Sequence, residues 1–147
     1  MHRVSADGIG EEVGKIEISA AGTGITLTVD VTGLGAGPHG FHLHENGSCA
    51  PGEKDGKAAA ALKAGGHYDP AGAKAHRGPE GSGHRGDLPL LTATDAGVNA
   101  VVTAGHVTLD DVRGRSLIIH EGGDTYSDTP AMGGGGGRVV CGVVPKS

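Results

Sequence analysis

A chain of 147 residues is long enough for one domain that buries about 70% of the surface its unfolded form exposes, and too short for a second independent core. Its 12 basic and 17 acidic residues leave a formal charge of −5, a poor global field for nucleic acid or an anionic membrane surface, which argues against both as partners. With one Phe, two Tyr and no Trp, the core has to come from Val, Ile, Leu and Ala, and the 30 glycines mostly punctuate β-branched runs instead of forming a low-complexity tract.

The chain opens on MHRVSADGIG, which lacks the basic and apolar regions of a secretory signal. The expectation is an intracellular chain or one whose signal has been removed, with a terminus that frays around His2. Ile16 and Ile18 alternate with polar neighbours, as do Ile25, Leu27, Val29 and Val31, and AAGTG separates the two runs, predicting a β-hairpin. The glycine-rich GLGAGPHG then leads into FHLH at 41–44, where a strand places Phe41 and Leu43 on one face and His42 and His44 on the other. Further short strands are predicted at Val98–Val102, Val107–Leu109, Ser116–His120 and Val139–Val144. No segment keeps a helical period over ten residues, and no apolar run approaches the ~20 residues of a membrane-spanning helix. The pattern predicts a single all-β domain over 1–147, an antiparallel sandwich or flattened barrel.

Two stretches interrupt it. Residues 45–88 contain no Val, Ile or Phe, and residues 121–137 no Val, Ile, Leu or Phe. Loops this long in a compact domain are functional or disordered unless something other than a core holds them. The first carries His67, His76, His84 and Asp87, a nitrogen and carboxylate set of four that suits a closed tetrahedral zinc site, and metal is the expected clamp. The His42 and His44 pair needs a further partner, and His120, at the end of SLIIH beside the second loop, is the candidate. An imidazole-rich set suits copper. The two cysteines, Cys49 and Cys141, are either buried thiols or a disulfide formed in an oxidising compartment.

In this order, GPHGFHLHENGSC, GGHYDP, HRGPEGSGHRGDLP, IIHEGGD and GGGGRVVCGVV resemble the copper/zinc superoxide dismutases, most closely the bacterial periplasmic type, from about Gly14 to the C-terminus. The resemblance implies an eight-stranded Greek-key β-barrel with two long functional loops. It implies copper (Cu²⁺/Cu⁺) held by His42, His44, His67 and His120, and Zn²⁺ held by His67, His76, His84 and Asp87, with His67 bridging the metals. Asp124 would link His42 to His76, Arg138 would attract and orient the anion, and Cys49 would pair with Cys141. The implied activity is disproportionation of superoxide to O₂ and H₂O₂, in a periplasmic or extracytoplasmic compartment, by a monomer or a homodimer. Lys54, Lys57 and Lys63 are candidates for the local field that draws the anion in. His39 is expected to hydrogen-bond backbone near the site, and His106 to lie at the surface or a strand edge. The competing readings are a copper or zinc carrier and a copper-only enzyme; the complete ligand set together with Arg138 argues for a two-metal enzyme.

Overall fold

The computed structural model describes residues 1–79, 83–129 and 131–146. Among them twelve strands run in chain order: β1 (His2–Ser5), β2 (Gly8–Glu12), β3 (Gly14–Ala21), β4 (Gly24–Val31), β5 (Gly37–His39), β6 (Phe41–His44), β7 (Gly52–Lys54), β8 (Lys57–Ala59), β9 (Leu91–Ala93), β10 (Val98–Ala104), β11 (Ser116–His120) and β12 (Arg138–Val143). A five-stranded sheet has the order β2–β1–β12–β11–β6, and a three-stranded sheet the order β10–β4–β3. Every strand pairing is antiparallel. Residues 37–44 form one bent strand: β5 pairs with β9, which lies against β10, and after Gly40 β6 pairs instead with β11. That corner joins the two sheets. With β5–β6 counted as one strand and the β2 edge and the β7–β8 loop hairpin set aside, the eight expected strands remain. Neighbours such as β6 and β11 are distant in sequence, as a Greek-key path requires.

The alternation around residues 25–31 sets the inner face: Ile25, Leu27, Val29 and Val31 have no exposed surface, and they pack with Phe41, Leu43, Leu88, Leu91, Ile119 and Val140. Each fully buried side chain of this kind contributes roughly 1.5–3 kcal/mol relative to exposure. A smaller cluster joins Val4, Ile118, Ala61 and Ala64 to the Cys49–Cys141 disulfide, whose Cα atoms are 5.8 Å apart. Closing a loop across 92 positions stabilises by about 4–5 kcal/mol on a chain-entropy argument.

Three expectations change. His2 does not fray: it pairs with Cys141 across β1 and β12, and the Met1 ammonium donates to Gly14 O at 2.9 Å. The segment starting at Val107 is not a strand through Leu109. Thr108 caps a short helix, α1 (Leu109–Val112), with Asp111 N donating to Thr108 Oγ1 at 3.1 Å and Thr108 N to Asp111 Oδ2 at 2.9 Å. That reciprocal pair satisfies two main-chain donors at once, which outweighs the β-propensity of a two-residue apolar run. Finally, the 45–88 loop relies on more than metal. Leu43 N donates to Gly86 O, Tyr68 N to Leu43 O and Leu88 N to Phe41 O, so its main chain is stitched to the outer edge of β6, while Ala61 and Ala64 pack under the disulfide.

Candidate metal centre

The histidines of β6 sit in a ladder. His42 is paired with Ile118 and His44 with Ser116 on β11, and a register shift between Ile119 and His120 at the end of β11 re-aims the last side chain. On the other edge of β6, isolated bridges place His67 opposite His44 and Asp87 opposite His42. Two strands and a stitched loop therefore bring His42, His44, His67 and His120 together, with ligand atoms all within 4.8 Å of one another. All four are buried, so the imidazole face of β6 is covered by the loops and does not meet solvent.

In three of these rings one nitrogen is already engaged. His42 Nε2 donates to Asp124 Oδ2 at 2.8 Å, His44 Nδ1 to Gly65 O at 2.9 Å, and His120 Nδ1 to Gly136 O at 3.1 Å. Those acceptors decide the tautomers, because a carbonyl or carboxylate oxygen can only accept. The opposite nitrogens, His42 Nδ1, His44 Nε2 and His120 Nε2, are left as lone pairs, buried and without a hydrogen-bond partner. An orphaned buried nitrogen is costly, and several of them converging is the donor set of a metal that prefers imidazole. Burial also holds the rings neutral: it lowers His42 and lowers His44 well below the ordinary range, brings His67 to about 4 and, with nearby His42, brings His120 to about 3.

The second group is built on Asp87. The Nδ1 atoms of His67, His76 and His84 lie 3.0, 3.0 and 3.3 Å from its Oδ1. Ligands of a tetrahedral zinc with bonds of 2.0–2.1 Å stand about 3.3 Å apart, so this spacing fits the ion. Asp87 Oδ2 is occupied separately by Arg77 N at 3.2 Å, which leaves Oδ1 for the cluster. His42, His67, His76 and Asp87 form a compact set of ligand atoms; His84 is outside it and joins through Asp87. Asp124 spans the two groups, with Oδ1 2.7 Å from His76 Nε2 and Oδ2 2.8 Å from His42 Nε2. Burial works against charge on Asp87 and Asp124, yet the histidine hydrogen bonds outweigh it and hold both carboxyls well below the usual range. Burial likewise opposes a charged His76, but Asp124 and Asp87 together push it up to about 9.

Beside His67 and His120 a cavity of about 420 Å³ opens, also lined by Arg138, Lys54, Gly136 and Gly137. Arg138 is clamped by the disulfide-linked loop, Nη1 donating to Ala61 O at 2.8 Å and Nη2 to Gly65 O at 2.7 Å. Lys57 and Lys63 are exposed and do not line this cavity. His39 meets backbone beside the site, where a hydrogen bond was expected, with Nδ1 2.7 Å from His120 O and Nε2 2.6 Å from Gly35 O. His106 is not a free surface residue: it is half-buried, and its Nε2 donates to the Asp87 carbonyl at 3.0 Å. Sequence reasoning missed that contact and the double use of Gly65 O, since a main-chain acceptor carries no residue-type signal.

Comparison with known proteins agrees with this geometry. The family model described as "Copper/zinc superoxide dismutase (SODC)" matches residues 12–144. A protein named "Superoxide dismutase [Cu-Zn]" from Brucella abortus is 52% identical over 147 residues, covering 98% of this chain and 85% of its own length, and one of the same name from Escherichia coli K12 is 44% identical with the same coverage. The solved Cu/Zn superoxide dismutase from Brucella abortus superposes with a TM-score of 0.94 at 52% identity, over 97% of this chain and 95% of that one. The solution structure of the monomeric copper, zinc enzyme from Salmonella enterica gives 0.85 at 46% identity, with the same coverage.

Proposed function

The chain belongs to the copper/zinc superoxide dismutase family and disproportionates superoxide to O₂ and H₂O₂ with copper and zinc as cofactors, and from that premise we propose how its own residues divide the work. His42 Nδ1 and the Nε2 atoms of His44, His67 and His120 would hold copper. The Nδ1 atoms of His67, His76 and His84, with Asp87 Oδ1, would hold zinc. Copper supplies one-electron oxidation and reduction, and zinc supplies Lewis acidity at His67. Holding both metals would require His67 without a proton on either nitrogen, and its Nε2, beside the cavity, would be the base that carries one of the two protons the reaction consumes, while the other would enter from solvent through the cavity. Arg138, always charged and fixed by two carbonyls, attracts the anion and orients it beside His67 and His120. Asp124 holds His42 in the tautomer that leaves Nδ1 bare and accepts from His76 Nε2, so that zinc would take the place of the proton on His76 Nδ1.

The observation that carries this reading is the set of buried bare nitrogens, each opposite a nitrogen already engaged. The test compares superoxide decay by protein reconstituted with one copper and one zinc per chain with a His120→Ala variant that still binds zinc. Fast decay that collapses in the variant is expected; decay no faster than the zinc-only protein, despite confirmed copper uptake, would leave a metal carrier.

The disulfide supports a periplasmic location, because such bonds persist in oxidising compartments. Among the described residues no helix is long and apolar enough to cross a membrane. The large apolar side chains exposed there, Ile9, Val101 and Val143, lie on β2 and β12 of one sheet and β10 of the other. That dispersion, with the Salmonella enterica relative described as monomeric, favours a monomer over a homodimer. Sedimentation at micromolar concentration decides between them.

A further inference from the structure

Asp87 is restrained at every polar atom. Its N donates to His84 O at 3.2 Å, its Oδ2 accepts from Arg77 N, and its Oδ1 faces the three Nδ1 atoms. The fourth restraint, on the carbonyl oxygen, comes from outside the loop, from His106 Nε2 at 3.0 Å. A carbonyl only accepts, so Nε2 carries the proton, and His106 Nδ1 is the bare nitrogen, buried without a hydrogen-bond partner. The ring is thus committed to one tautomer by this contact, and its one hydrogen bond is spent on the main chain of Asp87.

The same connection between β10 and β11 grips the loop at two more points. Asp111 Oδ1 lies 3.4 Å from both Tyr68 Oη and Arg85 Nη1, and the Arg115 guanidinium sits 3.9 Å over the Tyr68 ring. Tyr68 follows His67 and Arg85 follows His84 in the chain. The residues beside two of the zinc-side histidines, and Asp87 itself, are therefore all backed by residues 106–115. We propose that His106 is a positioning residue for the zinc half of the centre: it fixes the Asp87 main chain so that Oδ1 stays at the point where the three Nδ1 atoms converge. This rests on the reading of Asp87 as a zinc ligand.

The experiment measures zinc affinity by competition with a chromogenic chelator, together with the visible spectrum of Co²⁺ placed in the zinc site, for the parent, His106→Leu, His106→Gln and Asp87→Ala. Leucine removes the donor, and a 10- to 100-fold loss of zinc affinity with a changed Co²⁺ spectrum is expected. Glutamine carries an amide nitrogen to about the place of Nε2 and should stay within about threefold of the parent. A purely structural role would lower the unfolding temperature of the metal-free variant and leave both metal readouts in place. If Asp87→Ala loses zinc while His106→Leu retains it, the positioning role is wrong. Equal losses in the Leu and Gln variants overturn it as well, since donation would not be the cause. If Asp87→Ala itself binds zinc like the parent, the ligand reading falls first and the inference with it. Should the Leu variant not fold, His106→Asn, whose shorter amide stops short of the carbonyl, takes its place with the same expectation.

Discussion

At the scale of single residues, what distinguishes the histidines is the partner of the nitrogen that points away from the cluster. Asp124, Gly65 O and Gly136 O fix which nitrogen is bare, and a ring lacking such a partner would be free to turn. Glycine plays a comparable part beneath His76. Gly133 has φ +79°, and a Cβ there would collide with Asp124 Oδ1 and His76 Nε2. Gly133→Ala should therefore combine left-handed backbone strain with displacement of the bridging carboxylate, and zinc affinity is expected to fall at least about 10-fold. Chelator competition reads this directly, and an unchanged affinity would show that the loop carrying Gly133 yields without moving Asp124. As candidates, His42, His44, His67, His76, His84, His120, Asp87, Asp124 and Arg138 were legible from residue type, motif order and the family resemblance. The acceptors that orient them were not, because a carbonyl belongs to every residue.

At the scale of elements, strands were easier to read than their ends. Alternation at 25–31 survives because one face of that run lies against the core, whereas 116–120 is buried on both faces, Leu117 and Ile119 in the main cluster and Ile118 in the one around the disulfide. The Val107–Leu109 strand was lost to a capping box that the apolar count could not weigh. Thr108→Ala removes the side-chain acceptor for Asp111 N, and a loss of about 1 kcal/mol in unfolding free energy is expected from denaturant titration of the metal-free protein. Because α1 also presents Asp111 to Tyr68 and Arg85, an accompanying drop in zinc affinity would show that cap and loop are coupled; unchanged stability would mean the helix is held by packing of Val112 alone.

For the whole molecule, two consequences follow from charge. The net charge of −5 repels superoxide at long range, so on the proposed function attraction would come from the local field of Arg138 and Lys54, which line the cavity. Lys54→Gln should slow superoxide decay about two- to threefold at low ionic strength, with the difference vanishing near 1 M salt, where screening acts within ~3 Å. A deficit that persists at high salt would assign Lys54 a role other than steering.

The metal-free protein should also weaken in acid. His42, His44, His67 and His120 have folded pKa values below the ordinary ~6.5, so as pH falls through that value the unfolded chain takes up protons that the folded chain refuses. Each such group costs about 1.4 kcal/mol per pH unit below ~6.5, until its folded form also protonates, near pH 4 for His67 and pH 3 for His120. His76 acts with the opposite sign: raised to about 9, it contributes fully below ~6.5 and loses its contribution as pH rises through 9. The depressed Asp87 and Asp124 stabilise above the ordinary carboxylate range and lose that contribution only in stronger acid. Stability of the metal-free chain is thus greatest near pH 7, since the four lowered rings oppose acid below ~6.5 and His76 gives up its contribution progressively between ~6.5 and 9, and its thermal midpoint should drop steadily from pH 7 to pH 5. A flat midpoint over that interval would falsify the neutral, buried state assigned to the four rings.

By itself the sequence determined the all-β class, the positions of the strands that carry His42, His44 and His120, the ligand chemistry of the long loop and the two-metal resemblance. These follow from local periodicity and residue type, which the chain carries at every position. Only the tertiary structure decided that β6 receives the loop along its outer edge, that Asp87 is restrained from four sides, and that His106, expected at the surface or a strand edge, lies behind it. Those outcomes depend on main-chain donors and acceptors meeting across 19 to 82 positions of sequence, and such meetings are settled by how the sheets and loops pack.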